Sequence, residues 1–178
     1  MSDIKQTVGF LRKVPLFHKL RNHHLERLAK RMVERDYAAG QAIVTQGQGG
    51  EGFFILVSGR GEAVRARPDG TEVVVNTFGP TDFFGELALL DDGPRTASVR
   101  ATEQTQCLVL TRWDFLETLR DSDVEMSITI MQELAKRLMN RVFHGRLAGQ
   151  IVLLYPIRFN TRQFCIAHNT NQTNSIAT

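Results

Sequence analysis

Between residues 40 and 111 the chain is a succession of short Val-, Ile- and Phe-rich runs, each cut off by glycine or another turn residue: QAIVTQG, GFFILVSG, GEAVRARPDG, TEVVVNTFGP, RTASVRATE and TQCLVLTR. Runs this short, at this regular spacing, confine the region to an antiparallel β-sandwich or roll. Asp69-Gly70 falls between two of them, and Asp-Gly suits a two-residue hairpin in which both turn positions take positive φ. Gly47, Gly49, Gly50, Gly59 and Gly61 read as turn punctuation.

Helical patterns bracket the β region. Over residues 21–34, Leu25, Leu28, Ala29 and Met32 recur at three- and four-residue spacing, with Asn22 placed as an N-cap. After the last run, Thr111 and Asp114 stand as in a capping box, and Phe115, Leu116 and Leu119 share a helical face. Over residues 123–146, Val124, Ile128, Met131, Leu134, Ala135, Leu138 and Val142 form the stripe of a long amphipathic helix. The expected fold is mainly β with flanking helices. Its centre is a jelly-roll-like β-roll, a double-stranded β-helix, with N-terminal helices, a short phosphate-binding helix and a long C-terminal helix. The expected domain is 1–146, helical over 1–37, a β-roll over 38–112 and helical again over 113–146.

Residues 84–101, FGELALLDDGPRTASVRA, depart from the strand texture. Residues 84–90 are good helix formers behind a glycine and predict one or two helical turns set between strands. The N-terminus of such a turn presents unpaired N–H groups that attract an anion. Arg95 follows Glu86 by nine residues, behind the stiff Pro94. Its planar fork can grip two phosphate oxygens, while a carboxylate accepts from sugar hydroxyls. Taken alone, a Glu and an Arg at this separation fit a plain salt bridge across a loop better than a ligand site.

The 84–101 segment closely resembles the phosphate-binding cassette of the cyclic nucleotide-binding domain family, to which the catabolite activator protein and the regulatory subunits of cyclic-AMP-dependent protein kinase belong. The likeness runs from VPLFHKL and LERLAKRM through GQAIVTQGQGGEGFFILVSGRGEAV to the helix ending near Arg146. The resemblance implies that Glu86 binds the ribose 2′-hydroxyl and Arg95 the cyclic phosphate. It implies that the amides of Gly85, Leu87 and Ala88 line the anion seat and that Thr96 adds a hydroxyl near phosphate and base. Phe84 and Ala97 complete the expected cassette contacts. A lid over the base is expected from the long helix, where Met139, Arg141, Val142 and Phe143 are the candidates and Arg141 could stack on or hydrogen-bond the purine. In related channels a threonine at the position of Thr96 goes with cyclic GMP, whereas many cyclic-AMP domains carry alanine or serine there; the prevalence of cyclic AMP among bacterial-type domains nevertheless makes it the expected ligand, with cyclic GMP close behind. No cofactor or metal is expected.

Other functions fit less well. A barrel enzyme of the cupin kind needs metal ligands on its strands, yet His18, His23, His24, His144 and His168 all lie outside 40–111. His23 and His24 read as helix surface residues. A nucleic-acid reader would add a helix-turn-helix of about 60 to 80 residues, whereas 32 residues follow Arg146. Residues 147–178 hold Arg158 and Arg162 but no lysine and no acid, so of the net charge of +3 only about +1 belongs to residues 1–146. This tail, with IVLLYPI at its start, is of uncertain structure. The expected protein is a sensor without its own output, read by a separate downstream protein; alternatives are the sensor part of a transcription regulator and the regulatory subunit of a kinase-like partner. The long helix could pair two copies through Met131, Leu134, Leu138 and Val142. Two isolated cysteines, no secretory leader and no long apolar span point to a cytoplasmic location away from membranes.

Overall fold

The structure, a computed structural model, describes residues 3–49, 52–90 and 93–147. The chain falls into two units, Met1–Asn140 and Arg141–Thr178; of the second, the helical backbone of 141–147 is described.

Two helices open the first unit. α1 (Ile4–Leu11) is capped by Asp3, whose side chain accepts from the Lys5 amide at 3.1 Å. α2 (Asn22–Arg31) buries His24, Leu25, Leu28 and Ala29. Its N-cap is Arg21, without a side-chain cap, and not Asn22, which is the first helical residue. The roll then begins earlier than the run of apolar segments indicated. β1 (Val33–Tyr37) lies inside the stretch expected to be helical and pairs antiparallel with β8 (Thr105–Thr111), Arg35 opposite Cys107. Its sequence, VERDY, is mostly charged because none of its residues is fully buried, so the apolar alternation that marks a strand is missing.

β2 (Ala42–Val44), β3 (Gly52–Ser58), β4 (Gly61–Ala66), β5 (Glu72–Phe78), β6 (Phe83–Phe84) and β7 (Ser98–Ala101) complete two four-stranded antiparallel sheets, ordered β1-β8-β3-β6 and β2-β7-β4-β5. The β4–β5 hairpin forms where Asp69-Gly70 indicated, but through a longer loop. Arg67 and Thr71 close it at 2.8 Å, Gly70 alone takes positive φ, and the Asp69 carboxylate accepts from the Thr71 amide and hydroxyl. The local Asx turn therefore replaces the two-residue turn.

The uninterrupted apolar run of β3 is explained by burial on both faces. Phe53 and Ile55 face a core shared with Leu11, Phe17, Leu25, Leu28, Phe83, Leu110 and Phe115, under the helices. Phe54 and Leu56 face the roll interior with Phe78, Phe84, Val99 and Cys107. Burial pushes the Cys107 thiol up to about 12, so it stays protonated and unreactive.

α4 (Arg112–Arg120) starts at the capping residue the sequence indicated: Thr111 Oγ1 accepts from the Asp114 amide at 3.0 Å. α5 (Val124–Leu147) follows, its first turn held by Asp123 Oδ1 accepting from the Met126 amide. The face that α5 buries is Met126, Ile130 and Leu134, whereas Val124, Ile128 and Met131 of the expected stripe are exposed. Among its described residues the helix thus carries two apolar faces, one of which meets the core. Among the described residues no helix is long and apolar enough to cross a membrane.

Candidate functional site

The 84–90 segment folds as strand, glycine elbow and one helical turn. Phe84 belongs to β6, paired with Phe54, and not to the short helix as its neighbours suggested. Its ring stacks on Phe54 at 5.0 Å and 7° and meets Phe78 at 5.1 Å, so its described contacts are with the roll interior. α3 (Leu87–Leu90) begins three residues later.

Gly85 makes the elbow. Its φ is +80°, and a Cβ there would lie 2.6 Å from the Gly52 carbonyl oxygen and 2.7 Å from Arg95 Nη1. Only glycine allows both the left-handed conformation and the approach of the arginine. The elbow turns Glu86 inward, 1% exposed, and the Leu89 amide donates to the Glu86 carbonyl at 3.2 Å.

Arg95 is set by its backbone before its side chain acts. Its amide donates to Gln48 O and its carbonyl accepts from Gly47 N, both at 2.9 Å, which pins the 93–97 strip to the loop before β3. The half-buried guanidinium donates through Nη2 to Gly52 O at 2.7 Å and lies over the Phe54 ring, 5.7 Å from its centroid. Its Nε is buried and has no hydrogen-bond partner among the described residues. Burial lowers the guanidinium's pKa, and the charge of Glu86 pushes it back up. Elsewhere in the cassette, Thr96 and Leu87 are exposed, the Thr96 carbonyl accepts from Arg65 Nε at 3.3 Å, and Ala97 packs against the roll interior. The Ala88 side chain lies outside the described residues.

One participant was missed. Arg137 of α5 donates through Nη2 to the Phe83 carbonyl at 2.7 Å, places its guanidinium carbon 3.7 Å from the Phe83 ring centroid, and brings Nε to 4.0 Å from Glu86 Oε1. The signal was available: Arg137 follows Ile130 by seven and Leu134 by three residues, so a cation stands in register with the buried stripe. Of the proposed lid residues, Met139 is exposed. The side chains of Arg141, Val142 and Phe143 lie outside the described residues.

The site therefore joins a buried carboxylate, a guanidinium with a donor to spare and a glycine elbow, with a second guanidinium reaching in from α5. Donors and an acceptor so placed suit a ligand that carries an anion beside hydroxyl groups. Comparison with known proteins points the same way. The family model described as "Cyclic nucleotide-binding domain" matches residues 34–122. A cAMP-dependent protein kinase regulatory subunit from Mycosarcoma maydis is 42% identical over 96 residues, 54% of this chain and 18% of that protein. Among solved structures, the Thermus thermophilus catabolite activator protein superposes with a TM-score of 0.67 at 32% identity, covering 75% of this chain and 61% of that one. The regulatory domain of Toxoplasma gondii PKA, crystallised with cAMP, does so with a TM-score of 0.60 at 33% identity, covering 65% of this chain and 44% of that one. The chain thus spans less than two thirds of each of these relatives, and what it shares with them is one module that contains the cassette. By sequence, by topology and by the half of its length that the family model matches, this chain belongs to the cyclic nucleotide-binding domain family.

Proposed function

We propose that this chain is a cyclic-nucleotide sensor, with cyclic AMP as its preferred ligand and cyclic GMP second, that signals by a change of conformation and not by catalysis. Glu86 takes the ribose 2′-hydroxyl, Arg95 the cyclic phosphate, and the amides of Gly85, Leu87 and Ala88 complete the anion seat. Phe84 and Ala97 back the cassette from the roll interior. The observation that carries this reading is the convergence of buried Glu86 and half-buried Arg95 across Gly85, with Arg95 Nε lacking an acceptor among the described residues. A buried donor without a partner costs about 1–3 kcal/mol, a cost that a phosphate oxygen would remove. The cAMP in the Toxoplasma gondii relative supports the choice of base. Exposed Thr96 leaves a hydroxyl at the cassette rim for a guanine amino group.

Arg137 gives the ligand a route to α5. A ribose hydroxyl arriving at Glu86 enters the field of a guanidinium 4.0 Å away on that helix. Ligand and α5 then share one carboxylate, and nucleotide affinity differs between helix positions, which is the requirement for a population shift. The reader of that shift is a downstream protein. The relatives include both a kinase regulatory subunit and a cAMP-activated transcriptional regulator, so either output fits the module. The exposed face of α5, Val124, Ile128, Met131 and Met139, supports a second copy of the chain as its cover. We place the protein in the cytoplasm, consistent with the buried, unpaired thiol of Cys107.

Calorimetric titration of the full chain with cyclic AMP, cyclic GMP and 5′-AMP tests the reading. Saturable one-to-one binding of a cyclic nucleotide, with 5′-AMP at least about tenfold weaker, is expected. Equal affinity for 5′-AMP, or binding of none of the three, would overturn it.

A further inference from the structure

Away from the cassette, three ligand-bearing side chains meet where α2 faces the start of α5. Neighbouring residues on a helix point about 100° apart, so His23 and His24 should diverge. Instead their rings lie 3.9 Å apart, centroid to centroid, and both turn toward one carboxylate oxygen. His24 Nε2 is 3.2 Å from Asp123 Oδ2 and His23 Nε2 is 4.0 Å from it. The three ligand atoms all fall within 4.8 Å of one another. His24 is 2% exposed, contrary to its reading as a surface residue, while the side chains of His23 and Asp123 are 54% and 46% exposed. The cluster is walled on the His24 side and open on the other.

We propose that His23, His24 and Asp123 form a binding site for a divalent transition-metal ion, with zinc the best fit. Two neutral imidazoles and one carboxylate are a zinc ligand set, with water in the fourth tetrahedral position. Bonds of about 2.0–2.2 Å place neighbouring ligand atoms roughly 3.4 Å apart. The His24–Asp123 pair already stands at that separation. His23 closes the remainder by turning its exposed ring, without displacing backbone or core. Calcium and magnesium prefer all-oxygen shells and are disfavoured here. The carboxylate is also oriented from behind: Asp123 Oδ1 accepts from the Met126 amide at 3.0 Å, which directs Oδ2 to the imidazoles. The nearby cation Arg21 is paired with Glu125 at 2.5 Å, and its charge also acts on the Asp123 carboxylate.

The site ties α2 to the root of the helix that carries Arg137 into the cassette. It is separate from the nucleotide reading and stands or falls alone. The test is calorimetric titration of the full chain with Zn²⁺, together with the visible spectrum of the Co²⁺ complex, on wild type, His23→Ala, Asp123→Asn and Cys165→Ser. Circular dichroism of the metal-free variants checks that each is folded, and because His23 and Asp123 are exposed, both are expected to be. Wild type should bind one Zn²⁺. His23→Ala and Asp123→Asn should each weaken it at least about tenfold. Cys165→Ser should leave it unchanged, and the cobalt spectrum should lack a sulfur-to-metal charge-transfer band. No zinc binding by wild type, unchanged affinity in both His23→Ala and Asp123→Asn, or a charge-transfer band that disappears with Cys165→Ser would each overturn the proposal.

Discussion

Gly85 is the residue on which the geometry of the cassette turns, because it meets two requirements together: a φ of +80° and the passage of Arg95 beside its backbone. Gly85→Ala is therefore expected to cost about 1–2 kcal/mol from the left-handed conformation and more from the clash with Gly52 O, read as a lower urea midpoint, and to weaken nucleotide binding by displacing Arg95. The positions of Arg95 and Arg137 in the site were unequally legible. Arg95 sits in an ordered, long motif where each neighbour has a reason, whereas Arg137 stands in a helix full of charges and resembles a solvated one. Its place beside Glu86 shows only when its register with Ile130 and Leu134 is set beside the place where the cassette folds. Arg137→Ala should leave cyclic AMP binding within about tenfold of wild type, yet abolish the ligand-dependent hydrogen-exchange protection expected along α5. Protection that persists unaltered in Arg137→Ala would remove this arginine from the coupling route.

Among the elements, those built from local rules were the ones most readable in advance. The capping box at Thr111 starts α4 at its expected residue, and Thr111→Ala is expected to cost about 1 kcal/mol by denaturation. The uninterrupted apolar run of β3 became a strand buried on both faces. Elements decided by tertiary contact were not readable: β1 has little apolar signal and exists because β8 offers it an edge, and α5 hid its buried face behind a second, exposed one. That exposed face carries its own test. On the proposed pairing of two copies, wild type is expected to self-associate in analytical ultracentrifugation, and Ile128→Glu combined with Met131→Glu to abolish this with the melting temperature of the monomer nearly unchanged. α5 is also fastened at mid-length, where Glu133 accepts from Lys19 at 2.7 Å and from Lys136 at 3.0 Å. These bonds, that from Lys19 foremost, hold the Glu133 carboxyl below its ordinary 4.5. Their contribution is complete above about pH 4.5 and fades as pH falls through the depressed pKa. Glu133→Gln should thus cost about 0.5–1 kcal/mol at pH 7, and the gap to wild type should close as the pH falls through that depressed pKa.

At the level of the whole molecule, the two sheets place a carboxylate and an arginine, nine residues apart in sequence, at one end of the roll interior, and the core under the helices brings α5 alongside. A fold so arranged links ligand to stability: a nucleotide at a hundred times its Kd should add about 2.7 kcal/mol and raise the melting temperature accordingly. What the sequence conveyed at this scale was the order of helix, roll and helix; the contact between α5 and the cassette emerged only from packing. The central claim is that Arg95 holds the phosphate of a cyclic nucleotide. Titration calorimetry with cyclic AMP on wild type and Arg95→Ala tests it most directly. One-to-one binding to wild type and a loss of about a hundredfold or more in Arg95→Ala, roughly 3 kcal/mol, is the expected result, and equal affinity in the two proteins would contradict it.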